Sequence, residues 1–213
     1  MTHYLFDFDG TLGNTLPLCV AAFREALEPL AGRALSEAEI MATFGPSEEG
    51  TVAALTPGAF EEGVSRYLAC YARLHAQWPA PFPGIRELLA EVRQRGSFLG
   101  LVTGKGPRSL EITLARYGFE SAFDVVKTGR PEGKVKEACI EEILSAFPLR
   151  REEVLYVGDT PYDIQASHAC GIRAAAAAWA PSAELDALQA ARPDFVFRTV
   201  EAFAAAVRAD AFS

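Results

Sequence analysis

Two aspartates close a run of apolar residues near the start of the chain. In HYLFDFDGTL (3–12), Asp7 and Asp9 flank Phe8, and Gly10 follows at once. Carboxylates are seldom fully buried without a partner, so a pair at the end of a core-type strand points to a chemical task. One carboxylate can attack an electrophile while a second moves protons, and alternate positions of a strand share one face. Two other apolar runs end in polar groups of the same kind. SFLGLVTGK (97–105) delivers Thr103, Gly104 and Lys105, and EVLYVGDTPYD (153–163) delivers Asp159, with Asp163 four residues on. In open parallel sheets ligands sit outside the carboxyl ends of the strands. Four carboxylates, a hydroxyl and a lysine would then meet on one rim.

The elements that must position them alternate. Residues 4–8, 97–103, 153–159 and 172–179 read as buried strands, with weaker strands at 123–126 and 194–197. Helical periodicity fills 84–96, 107–118, 134–147 and 161–171. Strands alternating with helices of this length predict a parallel sheet covered on both faces. From Thr15 to about Gln77 the alternation stops. Four helical patterns follow one another, the second opened by a Ser36–Glu39 capping box. That stretch is too long for one crossover and reads as an inserted helical lid. PAPFPG (79–84) then returns the chain to the strand–helix pattern.

Bulk properties narrow the function. The 213 residues are 50% hydrophobic and 23% charged, an ordinary globular composition. A net charge of −8 argues against nucleic-acid and anionic-membrane surfaces, which need clustered Lys and Arg. Cys19, Cys70, Cys139 and Cys170 are scattered without a CxxC pair, as suits reduced thiols and a cytoplasmic location. No signal-peptide pattern and no membrane-length apolar run is visible.

Other motif readings fail on spacing. A calcium loop counted from Asp7 would need Gly and an acid where Leu12 and Leu18 stand. GRPEGKV (129–135) is one residue short of a phosphate loop and lacks the hydroxyl after its lysine. His3, His75 and His168 show no partner pattern.

DFDGTL, VTGK, a lysine near 134 and GDTPYD resemble, in that order, the four motifs of the haloacid dehalogenase superfamily. The insertion after the first motif resembles the cap of phosphoglycolate-phosphatase-like members. The resemblance implies a Rossmann-like α/β core over 1–14 and 80–213 and a helical cap over 15–79. It also implies a phosphatase that hydrolyses a small phosphorylated metabolite through an aspartyl-phosphate, as a monomer or homodimer. Asp7 would be the nucleophile and Asp9 the general acid and base. Thr103, Gly104 and Lys134 would bind the phosphate. Members close to this pattern usually carry a Lys-Pro pair at the third motif, which EGKVKEA lacks; Lys134 lies best for the role, with Lys136 the alternative.

Charge then calls for a cation. Ionised Asp7 and Asp159 together with a phosphate dianion place four negative charges in one small site. Unit charges about 4 Å apart repel by roughly 4 kcal/mol per pair at an effective dielectric near 20. A hard divalent ion such as Mg²⁺ suits, with the Asp7 and Asp159 carboxylates and the Asp9 carbonyl as ligands by resemblance. Asp163 would orient a metal-bound water or Lys134 from one shell out. Substrate choice would rest with the cap, where Gly45, Ser47 and Arg66 are the candidates. Two other readings stay open: a phosphosugar mutase of the same superfamily, and a non-enzymatic phosphoacceptor like a signalling receiver domain. A receiver carries its accepting aspartate on an internal strand and has no lid, whereas here the acids open the chain.

Overall fold

The computed structural model describes residues 1–212. The chain opens with β1 (His3–Phe6) and then makes the helices α1 (Leu16–Ala31), α2 (Glu37–Met41), α3 (Glu48–Leu55) and α4 (Phe60–Leu74). It continues through α5 (Ile85–Gln94), β2 (Leu99–Val102), α6 (Pro107–Tyr117), β3 (Val125–Lys127) and α7 (Lys136–Ala146). The last third comprises β4 (Val154–Gly158), α8 (Pro161–Ala169), β5 (Arg173–Ala177), α9 (Leu185–Ala190), β6 (Phe195–Phe197) and α10 (Val200–Arg208). The strands form one sheet in the order β3-β2-β1-β4-β5-β6, every pair parallel. All six expected strands are present. Helices α9 and α10 lie beyond the patterns singled out in the sequence.

β1 sits in the middle because it can be buried on both faces. Tyr4 and Phe6 face a core shared with α5 and α10, through Leu88, Val92 and Phe203, while Leu5 faces a second core with Ile140, Ile143 and Tyr156. A parallel strand covered by helices on both sides must be apolar throughout, and HYLF is close to that. On the β2 side Leu5 is opposite Gly100, and on the β4 side it is opposite Tyr156. A methyl at Gly100 would strike the Leu5 side chain, so the glycine serves close strand packing.

Regular pairing ends at Phe6, two residues earlier than the sequence predicts, although the Asp7 N–H still donates to the Val157 carbonyl at 2.9 Å. The Phe8 carbonyl then accepts from the N–H groups of Thr11, Leu12 and Gly13. This tight turn holds Gly10 at φ 81°, a conformation that suits glycine.

Helices α1–α4 have a core of their own, built from Leu18, Phe23, Leu27, Ile40, Val52 and Tyr67 among others. The Ser36–Glu39 capping box is present. Contacts to the sheet side run mainly to α6: the Tyr71 hydroxyl lies 2.7 Å from Thr113 Oγ1, and His75 Nε2 lies 3.0 Å from the same oxygen. Among the described residues no helix is long and apolar enough to cross a membrane.

Candidate active site

The carboxyl ends of β1, β2 and β4 open together where β1 lies between its neighbours, the position at which parallel sheets of this order bind ligands. A cavity of about 300 Å³ lies there, walled below by these strand ends and above by α1, α3 and α4.

Asp7 follows β1 directly and is 5% exposed. Its Oδ2 accepts from Lys136 Nζ at 2.8 Å, while Oδ1 is buried without a hydrogen-bond partner. Asp159, leaving β4, accepts from Thr11 Oγ1 at 3.1 Å. Asp163, in the first turn of α8, completes a capping box with Thr160: it accepts from the Thr160 N–H at 3.0 Å and the Thr160 hydroxyl at 2.6 Å, and also pairs with Lys136. Oxygens of Asp7, Asp159 and Asp163 all lie within 4.8 Å of one another. Gly10 and Gly158 permit this crowding, since a methyl on either would collide with the Asp159 or the Asp163 carboxylate.

The electrostatic cost appears in the proton affinities. Burial pushes the Asp7 carboxyl up to about 6, opposed by Lys136 and reinforced by Asp163 and Asp9. Burial also raises Asp159 well above the usual carboxylate range, with Asp7 and then Asp163 adding to it. Burial alone would lower the Lys136 ammonium, but Asp163 and Asp7 more than reverse that, so it stays charged. Three acids against one lysine leave the cluster short of positive charge. A buried carboxylate oxygen with no donor, beside two more acids, is a donor set that fits a hard divalent cation.

A second, part-buried pair stands beside the first. Asp9 Oδ1 accepts from the Thr15 hydroxyl and from Lys105 Nζ, the latter at 3.2 Å. The Lys105 ammonium also lies 4.4 Å from the centre of the Tyr71 ring, within cation–π range. Thr103 Oγ1 accepts from the Lys105 N–H at 3.2 Å, which ties the turn after β2. Thr103 and Gly104 line the cavity floor next to Asp7.

The structure therefore brings together Asp7, Asp9, Thr103, Gly104, Asp159 and Asp163. It does not place Lys134 against Asp7. Lys136 takes that position, and the Lys134 ammonium stands 4.5 Å from the centre of the Tyr162 ring on the rim. The reason is where the helix begins. Side chains in a helix tilt toward its N-terminus, so the lysine that starts α7 reaches back over the strand ends, whereas Lys134 still lies in the loop. The Asp9 carboxylate is not part of the three-acid cluster.

Of the cap candidates, Gly45 lines the cavity; Ser47 and Arg66 do not. The Ser47 hydroxyl donates to Glu49 at 2.6 Å, and Arg66 pairs with Glu62 on the exposed face of α4. Reading along the chain missed Glu48. This buried carboxylate accepts from the N–H groups of Gly106 at 2.6 Å and Ser109 at 3.2 Å, joining α3 to the start of α6. A helix N-terminus favours such an acid, but no local pattern pairs residues 58 positions apart.

Comparison with known proteins agrees with this geometry. Residues 4–177 match the family described as haloacid dehalogenase-like hydrolase. The chain is 30% identical over 208 residues to pyrophosphatase PpaX of Bacillus pumilus, covering 97% of this chain and 96% of that one. It is 28% identical over 194 residues to the PpaX of Bacillus cereus, covering 90% and 89%. Among solved structures, a predicted phosphoglycolate phosphatase from Haemophilus somnus superposes with a TM-score of 0.74 at 21% identity, covering 99% and 98%. CbbY from Rhodobacter sphaeroides, solved with phosphate, superposes with a TM-score of 0.76 at 21% identity, covering 93% and 94%.

Proposed function

The chain belongs to the haloacid dehalogenase-like hydrolases, and from that premise we propose that it is a divalent-metal-dependent phosphatase acting on small phosphate monoesters through an aspartyl-phosphate. The observation that carries this reading is the Asp7 carboxylate: buried, with one oxygen on Lys136 and the other without a donor, at the centre of the rim.

Asp7 attacks phosphorus and the ester oxygen departs, which splits a difficult hydrolysis into two displacements. Asp9 gives the departing oxygen its proton and later takes one from the water that opens the acyl-phosphate. Its side chain is held by Thr15 and Lys105, so its direction is set before substrate arrives. The Thr103 hydroxyl, the Gly104 backbone and the Lys136 ammonium surround the phosphoryl oxygens, where fixed donors stabilise developing charge. Asp163 acts through Lys136, holding its ammonium toward Asp7.

The Asp7 and Asp159 carboxylates with the Asp9 carbonyl would hold Mg²⁺, which when bound offsets the charge on the phosphate and the acids. The curated relatives are named pyrophosphatases and one structural neighbour a phosphoglycolate phosphatase, so both compounds belong in a first screen. Phosphate release from a panel of monoesters, with Mg²⁺ and with EDTA, tests the proposal. Release that requires Mg²⁺ and disappears in Asp7→Asn supports it; release undiminished in Asp7→Asn refutes it.

A further inference from the structure

The floor of the cavity is polar, whereas its roof is mostly apolar, with Glu48 and Thr51 of α3 the exceptions. Leu16, Cys19 and Phe23 of α1, Phe44 from the loop before α3 and Tyr67 of α4 form the wall opposite Asp7. Phe23 and Tyr67 stack with ring centres 4.0 Å apart, and Phe44 lies 6.0 Å from Phe23. Burial pushes the Cys19 thiol up to about 12, so it faces the cavity as a neutral group.

Charge on the roof has one sign. Residues 15–79 contain four arginines and no lysine against eight glutamates. Arg24, Arg33, Arg66 and Arg73 all pair with glutamates on the outer surface, and none lines the cavity. Glu48 does line it. On the floor Lys136 is held by Asp7 and Asp163, and Lys105 by Asp9. Lys134 also lines the cavity, at its rim, with its stem against Gly45 and its ammonium over Tyr162, and it forms no ion pair among the described residues.

A leaving group that carries its own anionic end, such as the second phosphate of pyrophosphate or the carboxylate of phosphoglycolate, would meet aromatic carbon and Glu48 along the roof, with Lys134 at the rim the one lining cation, among the described residues, not already paired with an acid. Stripping a charge of water without a partner is costly. An alkyl or aryl group would instead bury apolar surface there. Resting on the phosphatase reading above, we propose that the substrate of this site is a phosphate monoester with an uncharged, apolar leaving group, and that the roof formed by Phe23, Phe44 and Tyr67 selects against a second anionic group.

The test compares kcat/KM for benzyl phosphate, 2-phosphoglycolate and inorganic pyrophosphate, with p-nitrophenyl phosphate as a general reporter. The two esters both release a primary alkoxide and differ in the remote group, phenyl against carboxylate. Benzyl phosphate is expected to exceed each of the other two at least tenfold. In Phe44→Ser, a change at a half-buried position, the ratio of benzyl phosphate to phosphoglycolate should fall at least fivefold. Equal or greater kcat/KM for pyrophosphate or phosphoglycolate, or an unchanged ratio in Phe44→Ser, overturns the inference while Asp7-dependent turnover leaves the phosphatase reading standing. Absence of Asp7-dependent release from all four compounds overturns both.

Discussion

Removing the proposed nucleophile should make the metal-free protein more stable, and the size of the gain follows from the site. In the folded chain the Asp7 carboxyl is pushed from its ordinary 3.8 up to about 6, first by burial and then by Asp163 and Asp9, against the pull of Lys136. A tenfold step in proton affinity is about 1.4 kcal/mol, so the ionised form is disfavoured on folding by about 3 kcal/mol. A carboxyl raised in the folded state leaves stability intact below pH 3.8 and removes it as pH climbs through 6. The neutral amide of Asp7→Asn has the shape of the protonated acid at every pH and escapes that loss. With EDTA present, Asp7→Asn should exceed the parent by about 3 kcal/mol at pH 8 and by roughly half as much at pH 5. For a chain of this size that is about 6–12 °C in Tm at pH 8.

Urea titrations at the two pH values measure the gap directly, since a change in midpoint at constant slope is a change in stability. Adding Mg²⁺ supplies the missing charge to the parent, and a hundredfold excess over Kd corresponds to about 2.7 kcal/mol. The parent should therefore recover most of the difference, while Asp7→Asn should respond little. A variant less stable than the parent at pH 8 in EDTA, or a gap that does not grow with pH, refutes the electrostatic reasoning.

Other perturbations address the neighbours. Lys136→Met removes the cation between two buried acids and should cost about 3–5 kcal/mol together with at least a hundredfold loss of kcat, whereas Lys134→Met should cost far less; thermal melts and steady-state rates distinguish them. Gly10→Ala places a methyl against the Asp159 carboxylate at a backbone angle of φ 81°; it should lose Mg²⁺ stabilisation in a melt even where the fold survives. Glu48→Ala leaves the Gly106 and Ser109 N–H groups without their acceptor, at about 1–3 kcal/mol each at most, and faster hydrogen exchange should appear at the first turn of α6.

Most of the scaffold was legible because its signals are local. Apolar runs ended by Asp7, Thr103 and Asp159 can be read directly, and a parallel sheet then places all three on one rim. The choice between Lys134 and Lys136 was harder, because two residues separate a loop side chain from the first turn of a helix, and only α7's start at Lys136 decides it. Ser47 and Arg66 drew notice as polar residues in a helical insertion. Their partners Glu49 and Glu62 lie two and four positions away, so they satisfy each other locally and leave the cavity to their apolar neighbours. Phe23, Phe44 and Tyr67 carry ordinary core periodicity, and no local pattern separates an aromatic that lines a cavity from one that fills a core. Glu48 and Lys105 depend on partners far along the chain, at Gly106 and Asp9.

Those long-range partners converge on one element. The turn that opens α6 supplies Thr103 and Gly104 to the cavity floor, Lys105 to Asp9 and the Gly106 N–H to Glu48. One helical stretch further on, Thr113 meets Tyr71 and His75 of the insertion. Roof and floor are thus referenced to the same helix, and a shift of α6 would move the Asp9 carboxylate and the aromatic roof together. Tight apolar packing resists such shifts. Under the proposal above, a change at the half-buried Phe44 would alter the roof, and with it the choice of leaving group, while the Glu48, Tyr71 and His75 contacts keep the roof's distance from Asp7. The proposed substrate preference would therefore change by substitution at Phe44 with the Asp7 and Asp159 carboxylates left in place, whereas Phe23 and Tyr67 also hold the core of α1–α4.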